Sequence, residues 1–144
     1  MRFTQISLKR KVIIIIAITL SLISIVIINN TIKKNKFDRF VNAFENDMAK
    51  LMVSIDIYDI KETLLTNENK EIMKNVKKII EDTALSEEEK DSVPYLSRKK
   101  EYLLMENIFE RISDWDNQTR FEKNRIVDHI LGQQVMYKAY LENQ

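Results

Sequence analysis

The sequence predicts an all-α protein: a single N-terminal transmembrane helix followed by an antiparallel bundle of about four helices. Three observations carry that prediction. Residues 12–28 read VIIIIAITLSLISIVII, without charge, Pro or Gly. The 144 residues hold one Gly and one Pro, whereas a sheet needs turn residues at every hairpin. Beyond the apolar run, hydrophobic residues recur at three-to-four spacing among Glu, Lys, Leu, Ile and Met, which favours helix.

As a helix the run is about 26 Å long, at ~1.5 Å per residue. The bilayer core is about 30 Å thick and is spanned by about 17 residues or more. In lipid only a helix, or a closed barrel, satisfies its own backbone. A cleaved signal peptide would carry an apolar region of about 7–15 residues and a small-x-small cleavage site. Here the run ends Ile28-Asn29-Asn30-Thr31-Ile32-Lys33-Lys34, with no Ala or Gly nearby. A buried core helix would need apolar cover on every side, which a chain this short does not supply. Ala17, Ser21 and Ser24 share one face, and small residues let membrane helices approach closely. The plainer reading of the serines is a hydroxyl bonded back to its own helix.

Arg2, Lys9, Arg10 and Lys11 precede the run; Lys33, Lys34, Lys36 and Arg39 follow it. By the positive-inside rule this is a tie, broken by the crowding of Lys9-Arg10-Lys11 against the membrane edge. The expected layout is a cytoplasmic basic tail over 1–11, a transmembrane helix over 12–28, a juxtamembrane linker over 29–36 and a periplasmic or extracellular helical domain over 37–144. Richness in Ile, Lys and Asn points to an AT-rich bacterial or phage genome, and so to a bacterial inner membrane.

The chain has 23 Lys and Arg against 22 Asp and Glu. Every acid lies beyond the anchor, so the domain carries a slight acidic excess. A nucleic-acid partner would call for a basic stripe, and none is present. The absence of cysteine excludes a disulfide framework and a thiolate zinc site.

The first helix of the domain is expected over 33–65, with a break near Asn29-Asn30. Phe37, Val41, Phe44, Met48, Leu51, Ile55, Tyr58 and Leu65 form a coiled-coil-like seam. Val53, Ile57, Ile60 and Leu64 lie nearly opposite, and a helix apolar on two faces must be covered on both. A short strand is the alternative at Val53-Ser54-Ile55-Asp56-Ile57, which alternates and is β-branched.

A second helix is expected over 68–84, with Ile72, Met73, Val76, Ile79 and Ile80 inward and Lys70, Lys74, Lys77 and Lys78 solvated. Ser86 with Glu89 forms a capping box, as does Thr119 with Glu122. Pro94 suits the first turn of a third helix, over 94–114, with Tyr102, Met105, Phe109 and Ile112 on its core face. A fourth helix is expected over 120–141, with Val127, Ile130, Leu131, Gln134, Tyr137 and Leu141 inward. In layout alone, the basic, Ile-rich span and seam-bearing first helix resemble membrane-proximal helical sensor domains of bacterial chemoreceptors and kinases. The returning span and the output module of those proteins have no counterpart, and no motif carries residues across.

No chemistry is legible. His129 is the sole histidine, so neither a triad nor a His-rich metal site has its partners. Asp114-Trp115-Asp116-Asn117 fails the EF-hand pattern, because Thr119 and Arg125 stand where Gly and Glu are needed. Asp56, Asp59 and Glu62 form no recognisable acid/base pair, and a lone Gly132 cannot build a phosphate loop. The expectation is a non-enzymatic, cofactor-free protein whose domain binds and regulates another envelope protein, a homodimer being one option. Val53, Ile57, Ile60 and Leu64 are the expected binding face, with Tyr58 or Trp115 as aromatic anchors. The alternatives are a ligand-sensing ectodomain acting through a partner receptor and a structural subunit of a membrane complex.

Overall fold

The computed structural model describes residues 8–143, with the side chains of Ile13 and of residues 15–143. Of the basic tail expected over 1–11, residues 1–7 lie outside the described residues and 8–11 are described as helical backbone only. The described residues are helical and contain no strand. Six α-helices follow in order: α1 (Leu8–Ser54), α2 (Ile60–Leu64), α3 (Asn67–Asp82), α4 (Glu87–Lys90), α5 (Val93–Ile112) and α6 (Arg120–Glu142). Short 3-10 turns lie at Ile57–Asp59 and Trp115–Asn117. The chain divides into two units after Phe37, and α1 contributes to both.

In the first unit α1 runs through Asn29-Asn30 without a break. Its apolar residues from Ile15 to Ile32 are exposed. By length and composition this is the one helix among the described residues apt to cross a membrane.

The second unit has a core drawn from five of its helices. Phe44, Met48, Leu51 and Met52 of α1, Leu64 of α2, Val76 of α3, Met105 and Ile112 of α5, and Ile130 of α6 are fully buried. Each such side chain is worth roughly 1.5–3 kcal/mol relative to exposure. α3 packs on α5, α2 on both α3 and α5, α4 on α5, and the Ile57–Asp59 turn on α6. The Phe40 and Tyr95 rings lie 5.4 Å apart, and the Tyr140 hydroxyl donates to Asn46 at 3.4 Å.

Both capping boxes form. Ser86 and Glu89 start α4, and Thr119 and Glu122 start α6, with side chain and backbone bonded reciprocally. Pro94 sits in the first turn of α5, behind the N-cap Ser92. A proline is tolerated there because its missing N–H has no partner to lose.

The helix expected to run from 33 to 65 instead stops at Ser54, and the strand alternative does not form. The stop is made by polar side chains from distant positions. The Gln134 amide donates to the Met52 and Ile55 carbonyls at 2.8 and 2.7 Å, which the helix end leaves without partners. Ser54 donates to Asn69 Oδ1 at 2.7 Å, and Asn69 Nδ2 donates to the Thr63 carbonyl at 2.7 Å. The Asp56 carboxylate accepts from the Tyr58 N–H at 2.9 Å and starts the 3-10 turn.

Candidate functional site

The residues expected to form one binding face are separated by the break after Ser54. Val53 lies in the last turn of α1 and is 62% exposed; Ile57 is half-buried in the 3-10 turn. Ile60 and Leu64 stand in α2 and are 3% and 0% exposed, so they belong to the core and not to a surface. That corrects the expected face: the opposition of the two apolar stripes requires an unbroken helix, and the helix ends before the second stripe is complete. Tyr58 is fully exposed. Trp115 is half-buried, with the Lys123 ammonium 5.5 Å from its ring centroid. Nearby, Lys61 bonds Asp116 at 2.6 Å, which draws the carboxyl below and the ammonium above their ordinary ranges.

Ala17, Ser21 and Ser24 are exposed on α1. The Ser21 hydroxyl donates to the Ala17 carbonyl at 2.8 Å, and that of Ser24 to the Leu20 carbonyl at 2.9 Å. Such bonds leave the serines small and self-satisfied, which suits an apolar surrounding.

An apolar surface of the second unit that is not used by its core lies on α6. Ile126, Ile130 and Tyr137 turn inward and are buried. Leu131, Gly132, Val135, Met136 and Ala139 are exposed, with Val135 at 71%; Phe121 at 70% begins the same side. From 131 to 136 this face carries no charge. Leu131 and Leu141 were expected inward and are exposed, while Ile126 was not anticipated in the core. The 126, 130, 137 spacing was present in the sequence; taking Val127 as the start of the stripe turned the face by one residue.

A groove of ≈ 180 Å³ lies between α5 and α6. Its apolar lining is Leu104, Ile108 and Ile126, and its polar lining is Asn107, Arg111, Arg125 and His129. His129, for which the sequence favours a structural or solvated role, is half-buried, and its Nε2 is buried without a hydrogen-bond partner. Burial holds its imidazole below the ordinary histidine range, because the charged form loses solvation. Arg111 donates to Glu122 at 2.8 Å. The Thr119 backbone N–H and hydroxyl hold the Glu122 carboxyl below its ordinary range.

A second polar cluster ties α1, α5 and α6. Arg98 pairs with Glu45, both largely buried, and the Tyr137 hydroxyl donates to Glu101 at 2.8 Å. Burial pushes the Glu101 carboxyl up, against the pull of the Tyr137 hydroxyl, while the Glu45 charge adds to the rise. Burial also raises Tyr137 far above the phenol range. The cluster joins three helices by bonds that each need their partner.

Among the described residues no group of three or more His, Asp or Glu side chains is placed to hold a metal ion. No protein-family model, no curated protein and no solved structure matches this chain.

Proposed function

We propose that this is a non-enzymatic, single-pass membrane protein whose second unit, an antiparallel bundle of α1, α3, α5 and α6, binds and regulates another envelope protein. Its setting is a bacterial inner membrane, with the N-terminus in the cytoplasm and the bundle on the periplasmic or extracellular side. The exposed apolar length of α1 supports the anchor. The bundle reading is supported by contacts pairing the start of α5 with Phe40, in the last third of α1, and the end of α6 with Asn46.

The observation that carries the binding role is the exposed, charge-free run on α6 at Leu131, Val135 and Met136. Apolar patches left open on a folded unit mark interaction sites. A photo-crosslinking amino acid at Leu131, in living cells, is expected to give one discrete adduct. Val135→Asp with Met136→Asp is expected to abolish it with helical content unchanged. An adduct that survives both substitutions, or none at all, would sink this reading. A ligand-sensing role is the second reading, favoured by the α5–α6 groove and its unpartnered imidazole nitrogen.

A further inference from the structure

We infer that the α5–α6 groove binds a small organic carboxylate, its aliphatic part on Leu104, Ile108 and Ile126 and its carboxylate between Arg111, Arg125 and His129. This inference is independent of docking on the outer face of α6. Three features of the groove converge on that ligand class.

The first is charge. Arg111 and Arg125 both line the groove. Glu122 occupies one Arg111 amino group, but a guanidinium has five N–H donors. The Arg125 guanidinium lies 6.0 Å over the Phe121 ring, an attraction that leaves its N–H edge to other partners. With Glu122 counted and His129 neutral, the immediate lining keeps an excess of one positive charge. Guanidinium forks match carboxylates in geometry as well as charge.

The second is the buried His129 Nε2. A buried polar atom without a partner is uncommon. As a neutral imidazole, one ring nitrogen is a donor and the other an acceptor. The imidazole lines the groove while Nε2 itself is shut from solvent, so a small shift of the ring on binding gives the tautomer protonated there a ligand oxygen to bond. The third is the apolar lining, which a bare inorganic anion would leave uncovered. At ≈ 180 Å³ the groove exceeds the ~10–15 Å³ needed by one water and admits a short aliphatic acid.

The test uses the full chain in detergent, labelled with nitrogen-15 histidine. His129 is the only histidine, so its imidazole signals need no assignment. Butanoate is the probe. The expected result is a saturable Nε2 shift with a Kd of about 1–10 mM, within the range for six heavy atoms. Butylammonium and sodium chloride at matched ionic strength are expected to give none. Arg125→Gln is expected to weaken binding about tenfold, the loss of a charge-assisted bond. Leu104→Trp fills the groove from a partly exposed position, so the helices form and binding is lost. The inference is overturned by no shift, which means a groove that holds water only. It is equally overturned by a linear shift matched by chloride, or by a folded Leu104→Trp protein that responds like the parent.

Discussion

Asn69 does the work of several residues at once. It is 1% exposed, the one buried polar residue in the core among the described residues. It accepts from Ser54, donates to the Thr63 carbonyl, and its backbone N–H donates to the N-cap Thr66. Three chain segments meet on one amide. Asn69→Ala removes the acceptor of the Ser54 hydroxyl and the donor to the Thr63 carbonyl, both part-buried bonds, and each such bond contributes about 0.5–1.5 kcal/mol net. The expected loss is about 1–3 kcal/mol, read as a lower urea midpoint with an unchanged slope. A change below about 0.5 kcal/mol would mean that water replaces the amide without penalty. The lone imidazole differs in kind. His129 has no such partners, which is why a histidine that is ordinary by sequence becomes the chemically distinct atom of the groove.

At the level of elements, local chemistry was legible wherever the signal was local. The two capping boxes mark the starts of α4 and α6, and Ser92-Val93-Pro94 marks that of α5. The apolar spacing of α3 identifies Met73, Val76 and Ile80, all buried. The end of α1 was not legible, because Gln134 and Asn69 make it from other helices, and residues 55–65 keep an apolar rhythm that suits a longer helix. With the helix ended, Ile60 and Leu64 fall in the core, while Val53 and Tyr58 stay exposed. The outward face of α6 carries its own test. Gly132 is helical and exposed, and a Cβ there would meet nothing within 4 Å. Gly is about 0.8–1 kcal/mol worse than Ala inside a helix. Gly132→Ala is therefore expected to raise stability by about 1 kcal/mol in thermal melts. If the same change also weakens the crosslink from Leu131, the partner approaches the bare backbone closely. A melt that does not rise would mean that α6 is not limited by its own propensity at that turn.

For the whole molecule, the decisive properties are the exposed apolar stretch of α1 from Ile15 to Ile32 and the second unit's possession of a core of its own. The proposed topology predicts different reagent access on its two sides. The native chain has no cysteine, so one introduced thiol reports alone. In intact cells a membrane-impermeant maleimide is expected to label Lys138→Cys and to spare Thr4→Cys. The reverse pattern would place the second unit in the cytoplasm and turn the proposed envelope partner into a cytosolic one. The bond from Gln134 to the Met52 carbonyl also reaches back across 82 positions. Ribosomes add about 5–20 residues each second, so about 4–16 s separate the synthesis of the two groups. Through that interval the Met52 and Ile55 carbonyls lack the Gln134 amide that bonds them in the folded chain. The order of synthesis thus leaves the end of α1 to be completed by α6, a helix made well after it.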